Sequence, residues 1–399
     1  MSLMPFMDFV LYEESWELFL EKEEAKEFKD YKVIRQVKKL LKEEGYLEFD
    51  DYFFYNFALP KKALLSKHNT SKKRVVYIYP EKHRLVLKLL AFYLLKKYNH
   101  IFCTNSLAYT EGRSVKTAFR LIEEYGITNK DIIYKADFSD YFNSIDIDIL
   151  KKKLTKFIND SDLYHFIMLI LREKRVKFKG SIIEEENKGV MAGSPISGIL
   201  ANIFMHDVDL LMQKKGHKYI RYADDVLIVG EEAFNFFTKE IEKINVFLNP
   251  KKTQIFNKGT GITFLGFKHV NNIIDLSDDA VAKMKSRFKR RAKWYRIWMK
   301  KNNVKKEVAL RDYIKKINFK LFSDQDDSIN WSRWYMPNIN TTKSIKYLED
   351  YFINCIRYLD SGTWKRGKKY YRLSYKDIKD LGYKSLVNEY YKIRRKNKN

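Results

Sequence analysis

The stretch Tyr219–Gly230, YIRYADDVLIVG, constrains this chain more than any other. Two adjacent carboxylates, Asp224 and Asp225, sit between the apolar runs Tyr219-Ile220 and Val226-Leu227-Ile228-Val229. The flanks are β-branched and aromatic, so each reads as a short buried strand. The polar quartet Arg221-Tyr222-Ala223-Asp224 has no packing reason to interrupt them. The expected geometry is a hairpin with two acids at its tip. Carboxylates held side by side repel each other. A divalent cation removes that cost, and hard oxygen ligands suit Mg²⁺. The plain alternative is a solvent-exposed turn that happens to be acidic.

Upstream, Asp131–Leu150 reads DIIYKADFSDYFNSIDIDIL, and the strand candidate Ile132-Ile133-Tyr134 runs into Asp137. Two-metal phosphoryl transfer needs carboxylates from separate strands converging on ions about 3.5–4 Å apart. One ion activates a hydroxyl, and both clamp the phosphate being displaced. Asp137, Asp224 and Asp225 would supply the ligands. The run Asp137-Phe138-x-x-Tyr141-Phe142-x-Ser144-Ile145, followed by Tyr222-Ala223-Asp224-Asp225, resembles motifs A and C of reverse transcriptases.

Further blocks of that resemblance follow in order from about residue 70 to 270. Ser71–Arg84 carries a strand candidate, Val75–Tyr79, with cations at both ends, as a hairpin closing over a triphosphate would. The resemblance places motif 1 here, with Lys73, Arg74 and Arg84 as candidate triphosphate contacts; a solvated edge explains any single one about as well. Ser106–Ala118 looks like motif 2, where Gly112 allows a tight turn and Arg113 faces template or nucleotide. Within motif A, Phe142 falls where the family carries an aromatic under the sugar that excludes a 2′-hydroxyl. Alternatively Phe142 is core, since Tyr141 beside it would point the opposite way on a strand. The resemblance also adds the Phe138 position to the metal set, and Asp140, Gly193 and Ser194 to the nucleotide contacts.

Lys188–Gly216 joins a glycine-containing loop to a helical apolar period (Ile196, Ile199, Leu200, Ile203, Phe204, Val208, Leu211) and resembles motif B. Leu200–His206 follows the family's LANIYLH closely. One departure is Ala192, where the family usually has a glutamine whose amide contacts the incoming sugar. Phe247–Thr253 resembles motif D, with Lys252 a candidate proton donor to the leaving pyrophosphate. Phe264, Leu265, Gly266 and Phe267 resemble the primer-grip hairpin of motif E.

Formal net charge is +26 over 399 residues, unevenly placed. Residues 1–50 hold 13 acids against 8 bases, whereas residues 275–399 hold 33 bases against 14 acids. Such an excess, interleaved with aromatics, points to a nucleic-acid partner over a mere solubility device. The helix starting at Ser277-Asp278-Asp279 would set Val281, Met284, Phe288, Tyr295 and Trp298 on one side and a basic stripe on the other. Lys285, Lys289, Arg290 and Lys293 are its candidate phosphate contacts. The two cysteines, Cys103 and Cys355, lack CxxC spacing, which argues against a disulfide framework or zinc site. No run reaches the length of a transmembrane helix and the N-terminus is unlike a signal peptide, so a cytoplasmic protein is expected.

The resemblance implies an α+β fold: a right-hand polymerase with fingers, an antiparallel palm sheet and a helical thumb. Its expected parts are an N-terminal helical region (1–70), fingers (71–130), palm (131–274, with fingers elements around 150–190) and a basic thumb with a C-terminal extension (275–399). It implies RNA-templated addition of deoxynucleotides with two Mg²⁺ ions, Mn²⁺ being an alternative. The implied partners are dNTPs, a structured non-coding RNA and an RNA–DNA hybrid, with a second copy or another subunit as further candidates and no membrane. By subtraction of retron, diversity-generating and intron-maturase signatures, the chain looks most like the stand-alone bacterial group tied to anti-phage defence. Untemplated or protein-primed synthesis, and a non-catalytic RNA chaperone, are the alternatives.

Overall fold

The computed structural model describes residues 4–26, 29–66, 73–127, 131–186, 188–256, 261–323, 331–365, 367 and 371–396. The chain divides into two compact units, Met1–Gly259 and Thr260–Asn399.

The first unit opens with helices α1 (Phe6–Leu11), α2 (Glu13–Ala25), α3 (Tyr31–Lys42) and α4 (Asp51–Tyr55). Asp30 and Asp50 start α3 and α4 by accepting the amides of Val33 and Phe53, the usual way a short acid satisfies an orphan helix donor. Strands β1 (Lys61–Ser66) and β2 (Lys73–Ile78) then pair antiparallel, Lys61 opposite Ile78. β1 lies inside the span expected to be helical, because Ala63-Leu64-Leu65 finds its partner in the Val75–Ile78 run. The buried helix α5 (Glu81–Tyr98) and α6 (Val115–Glu124) follow.

Next come β3 (Ile133–Asp137), α7 (Tyr141–Ser144), α8 (Ile147–Phe157), α9 (Ser161–Arg172), β4 (Arg175–Phe178) and β5 (Ser181–Glu184). The unit finishes with α10 (Ser197–Lys214), β6 (Tyr219–Tyr222), β7 (Asp225–Val229), α11 (Glu231–Glu242) and β8 (Gln254–Phe256). Two four-stranded sheets result, ordered β2-β1-β4-β5 and β6-β7-β3-β8, and every pair in the second is antiparallel. α10 is buried along most of its length, with Leu200, Ile203, Phe204 and Met205 fully inside. α11 packs by rings, Phe234 on Tyr134 and Phe237 on Tyr219.

The second unit begins with a three-stranded antiparallel sheet, β9 (Ile262–Phe264), β10 (Phe267–Val270) and β11 (Ile273–Leu276). Its two turns, Leu265-Gly266 and Asn271-Asn272, put both central residues at positive φ, the hairpin geometry that matches strand twist. These three strands belong to the second compact unit. The cause is local bonding: Asn340 donates to Ile274 O and accepts its amide, and Tyr335 lies against Gly266. Helices α12 (Asp278–Lys301), α13 (Lys306–Phe322), α14 (Trp331–Tyr335), α15 (Lys343–Ser361), α16 (Tyr375–Asp380) and α17 (Leu386–Lys396) follow. Ser277 caps α12 through the Ala280 amide. The core of this unit joins Phe288, Tyr313 and Phe352, with ring centroids 4.9 and 5.8 Å from Phe352. Among the described residues, no helix is long and apolar enough to cross a membrane.

Candidate active site

The hairpin expected at Tyr219–Gly230 forms as β6 and β7, and Tyr222 pairs with Asp225 across a two-residue loop, Ala223-Asp224. Ala223 adopts φ 58°, a left-handed conformation costly for a residue with a side chain. On the other side of β7, Asp137 is the register partner of Asp225, and the Phe138 amide donates to Asp224 O at 3.2 Å. Three carboxylates, from the ends of two adjacent strands and the loop between β6 and β7, thus gather at one end of the sheet. Burial pushes the Asp225 carboxyl up to about 6, and burial followed by Asp137 raises that of Asp224. Both shifts mark carboxylates short of positive charge.

Lys252 supplies part of that charge: its ammonium lies 2.5 Å from Asp137 Oδ1. The loop before β8 is zipped beside the end of β3, since Ser139 donates to Phe247 O and Asn249 to Asp137 O. Arg74, on β2, supplies more, and its field lowers the pKa of Asp224. Three carboxylates gathered at one end of a sheet, with those of Asp224 and Asp225 pushed up by burial, fit a hard divalent cation in chemistry. As they stand, no group of three His, Cys, Asp or Glu among the described residues is closed to ligand distance, with Asp137 turned onto Lys252.

The polar residue Arg221 has a packing reason that the sequence does not reveal. It is fully buried and forms a bidentate ion pair with Asp209 on α10. Its remaining donors reach Asn202 Oδ1 at 3.1 Å, Ala223 O at 3.2 Å and Ser106 Oγ at 2.7 Å. Tyr219 donates to the same Asp209 at 2.7 Å. One guanidinium therefore joins the hairpin tip, the motif B helix and the Ser106 loop. Asn202 and Asp209, seven residues apart on α10, were the readable signal.

Phe142 and Tyr141 lie in the helical turn α7, not on a strand, and both are buried. The Tyr141 hydroxyl donates to Ala201 O at 3.0 Å, and the Phe142 ring meets Tyr109 edge-on at 6.1 Å. Tyr109 was not singled out by the sequence. It sits at φ 56° against Gly198, where any Cβ would come within 2.3 Å of its ring, and its phenol feels the charge of Asp224. Asp140 adopts φ 46° and accepts from Asn143 Nδ2 at 3.1 Å.

The loop before α10 is held from two sides. Val190 donates to Phe142 O, and a Cβ on Gly189 would fall 2.1 Å from that oxygen. Tyr77 of β2 donates to Ala192 O at 2.8 Å, and Gly193, at φ 99°, lies against Val76 and Tyr77. The Ser194 hydroxyl is buried with no hydrogen-bond partner among the described residues. Lys73 is exposed at the start of β2.

Other expected contacts are committed elsewhere. The Arg113 guanidinium donates to the backbone oxygens of Phe102, Cys103 and Ser106. Arg84 stands on the first turn of α5 in the field of Asp30, which Lys88 also bridges at 2.6 Å. In the second unit, Lys285 donates to the Tyr347 hydroxyl and lies over Tyr351, and Lys289 lies over Trp364. Lys285 is half-buried, whereas Lys289, Arg290 and Lys293 are exposed. Phe264 and Phe267 are fully buried strand ends flanking Leu265-Gly266, and the group approaching Gly266 is the Tyr335 hydroxyl.

Several solved structures of telomerase are similar to this chain. Apo telomerase from Candida tropicalis truncated from its C-terminal domain shares 15% identity over 55% of each chain, with a TM-score of 0.41. The untruncated apo form shares 14% over 81% of this chain and 67% of that one, with a TM-score of 0.43. Telomerase from Candida albicans in complex with a TWJ fragment of telomeric RNA shares 13% over 87% of this chain and 70% of that one, with a TM-score of 0.41. This chain thus spans about half of the first of these. Residues 59–269, more than half of the sequence, match the family described as reverse transcriptase (RNA-dependent DNA polymerase), and they contain both sheets of the first unit and the converging carboxylates. The chain belongs to the reverse transcriptase family and has its α+β, right-hand polymerase fold.

Proposed function

We propose that this chain is an RNA-directed DNA polymerase that joins deoxynucleotides to a 3′-hydroxyl. The observation that carries it is the convergence of Asp137, Asp224 and Asp225 at one end of an antiparallel pair, beside two cations from other elements. Asp137, Asp224, Asp225 and the carbonyl of Phe138 would hold divalent ions, Mg²⁺ by their hard-oxygen chemistry. Bound there, such ions supply hydroxyl activation and charge neutralisation at the phosphate. The chain's own groups bind and orient: Arg74 acts on the same negative field, and the Lys252 ammonium is paired with Asp137. Phe142, Tyr109 and Gly193 line the approach, and the Ser194 hydroxyl is an unused donor there. The finer role we favour is that of a cytoplasmic, stand-alone bacterial enzyme of anti-phage defence, using a structured non-coding RNA.

Primer extension on an RNA template tests this directly. Asp137→Asn and Asp224→Asn should each lose incorporation by at least about 100-fold while melting no lower than the parent, because charge repulsion falls. Substantial DNA synthesis by either variant refutes the assignment. A second reading, untemplated or protein-primed synthesis from the same site, is favoured by Ala192, which offers only its backbone where the family usually offers an amide. Product that forms without added template or primer and stays bound to protein after denaturation would select it.

A further inference from the structure

α12 carries two basic stripes, which meet different aromatics of the unit. Lys285 and Lys289 face Tyr347, Tyr351 and Trp364. The other stripe, Lys283, Arg287, Arg290 and Arg291, repeats at helical spacing and lines a cavity of about 870 Å³. The opposite wall comes from α13 and α14 and adds Lys320, Trp334 and Tyr335. Among the described residues, none that lines this cavity is acidic. The charge of Arg287 reaches across it, since it lowers the pKa of the Tyr335 phenol against the effect of burial.

One turn beyond Arg290, Trp294 borders the same cavity with 55% of its surface exposed. Its ring is braced, edge-on to Tyr295 at 4.9 Å and parallel to Trp298 at 5.9 Å. A braced, exposed indole among three guanidinium forks is a poor arrangement for solubility. It suits a ligand that offers a flat π face and phosphates together. A paired duplex hides its base faces in its own stack, so only an unpaired base can lie on an indole. The volume falls within the range of small-ligand sites and admits one or two nucleotides at a time.

We propose that this groove binds single-stranded RNA, with an unpaired base stacked on Trp294 and its phosphates held by Arg287, Arg290, Arg291 and Lys283. The choice of RNA over DNA rests on the polymerase reading above; the stacking site does not. It assigns a task distinct from tracking a duplex.

Binding is measured by fluorescence anisotropy with labelled 12-nucleotide oligo(U), a 12-base-pair RNA duplex and oligo(dT), over a range of salt. Trp294→Leu should weaken oligo(U) binding about 5- to 150-fold, the range for loss of one stacked base, and leave the duplex and the salt slope unchanged. Trp294→Phe should restore part of the loss, which separates stacking from misfolding. Arg287→Gln with Arg291→Gln should weaken both ligands and flatten the slope of log affinity against log salt by about one per contact. Equal loss for oligo(U) and duplex in Trp294→Leu, or no loss, overturns the proposal, as does tighter Trp294-dependent binding of oligo(dT). The same titration on the Asp224→Asn background needs no catalysis. A groove that binds there while the parent incorporates nothing would sink the polymerase reading alone.

Discussion

Replacing Arg221 by Met tests how the carboxylate tip is held in place. The side chain is fully buried, and its partner Asp209 is nearly so. Removing the guanidinium leaves a carboxylate inside the protein with, among the described residues, only the Tyr219 hydroxyl to satisfy it. Breaking a buried pair this way costs about 3–5 kcal/mol. The lost bonds to Asn202, Ser106 and Ala223 are not added on top, because groups in one network are not independent. At roughly 2–4 °C per kcal/mol for a unit of this size, the first unit should melt about 6–20 °C lower. The double variant Arg221→Met/Asp209→Leu removes both charges, and such exchanges are often near neutral. It should therefore recover most of the stability. Incorporation should stay low, because nothing then holds the Ala223 carbonyl at the strained tip. Differential scanning fluorimetry and single-nucleotide extension read the two effects separately. A single variant melting within about 2 °C of the parent, or a double variant no more stable than the single, would refute the reasoning.

Phe142→Val should raise ribonucleotide use relative to deoxynucleotide use in single-nucleotide extension; an unchanged ratio would mean the ring is only core. Gly198→Ala drives a methyl into the Tyr109 ring, so incorporation should fall several-fold with little change in melting, and a silent variant would remove Tyr109 from the site. Ala223→Gly relieves left-handed strain of about 1 kcal/mol but adds a similar backbone entropy cost, so stability should hold within about 1 kcal/mol. Any drop in its incorporation rate then reports looser carboxylates, and full activity would show that the strain is incidental. Chelation by EDTA should abolish incorporation and Mg²⁺ should restore it, whereas activity in excess chelator would exclude the cation-dependent site.

The acidic hairpin was legible because two short apolar runs, buried on both faces, leave only the turn between them for Asp224 and Asp225. Arg221 was misread for the opposite reason. A polar residue in a strand reads as functional until its partner is known, and Asp209 lies twelve residues earlier on a helix. α7 is a single turn, too short for a helical period to show, so Tyr141 and Phe142 looked like alternating strand residues. On α12 the basic excess was plain, but which stripe is occupied depends on Tyr347 and Trp364, some 60 to 75 residues away. Arg113 illustrates the same limit: its glycine turn formed where expected, but the carbonyls it serves are backbone and leave no trace in composition.

The hydrogen bond from Tyr77 to Ala192 also bears on motion. β2 is an edge strand of its sheet, and this peptide bond covers its outer side. The loop it joins is itself pinned to Phe142 through Val190. A swing of the β1–β2 hairpin as a rigid flap must therefore either rupture the Tyr77 bond or drag the loop off the palm. Adjustment of the described strands to a substrate is confined to side chains. In hydrogen–deuterium exchange the Tyr77 amide should exchange with the slow class of the palm sheet, although it sits on the edge of a different one.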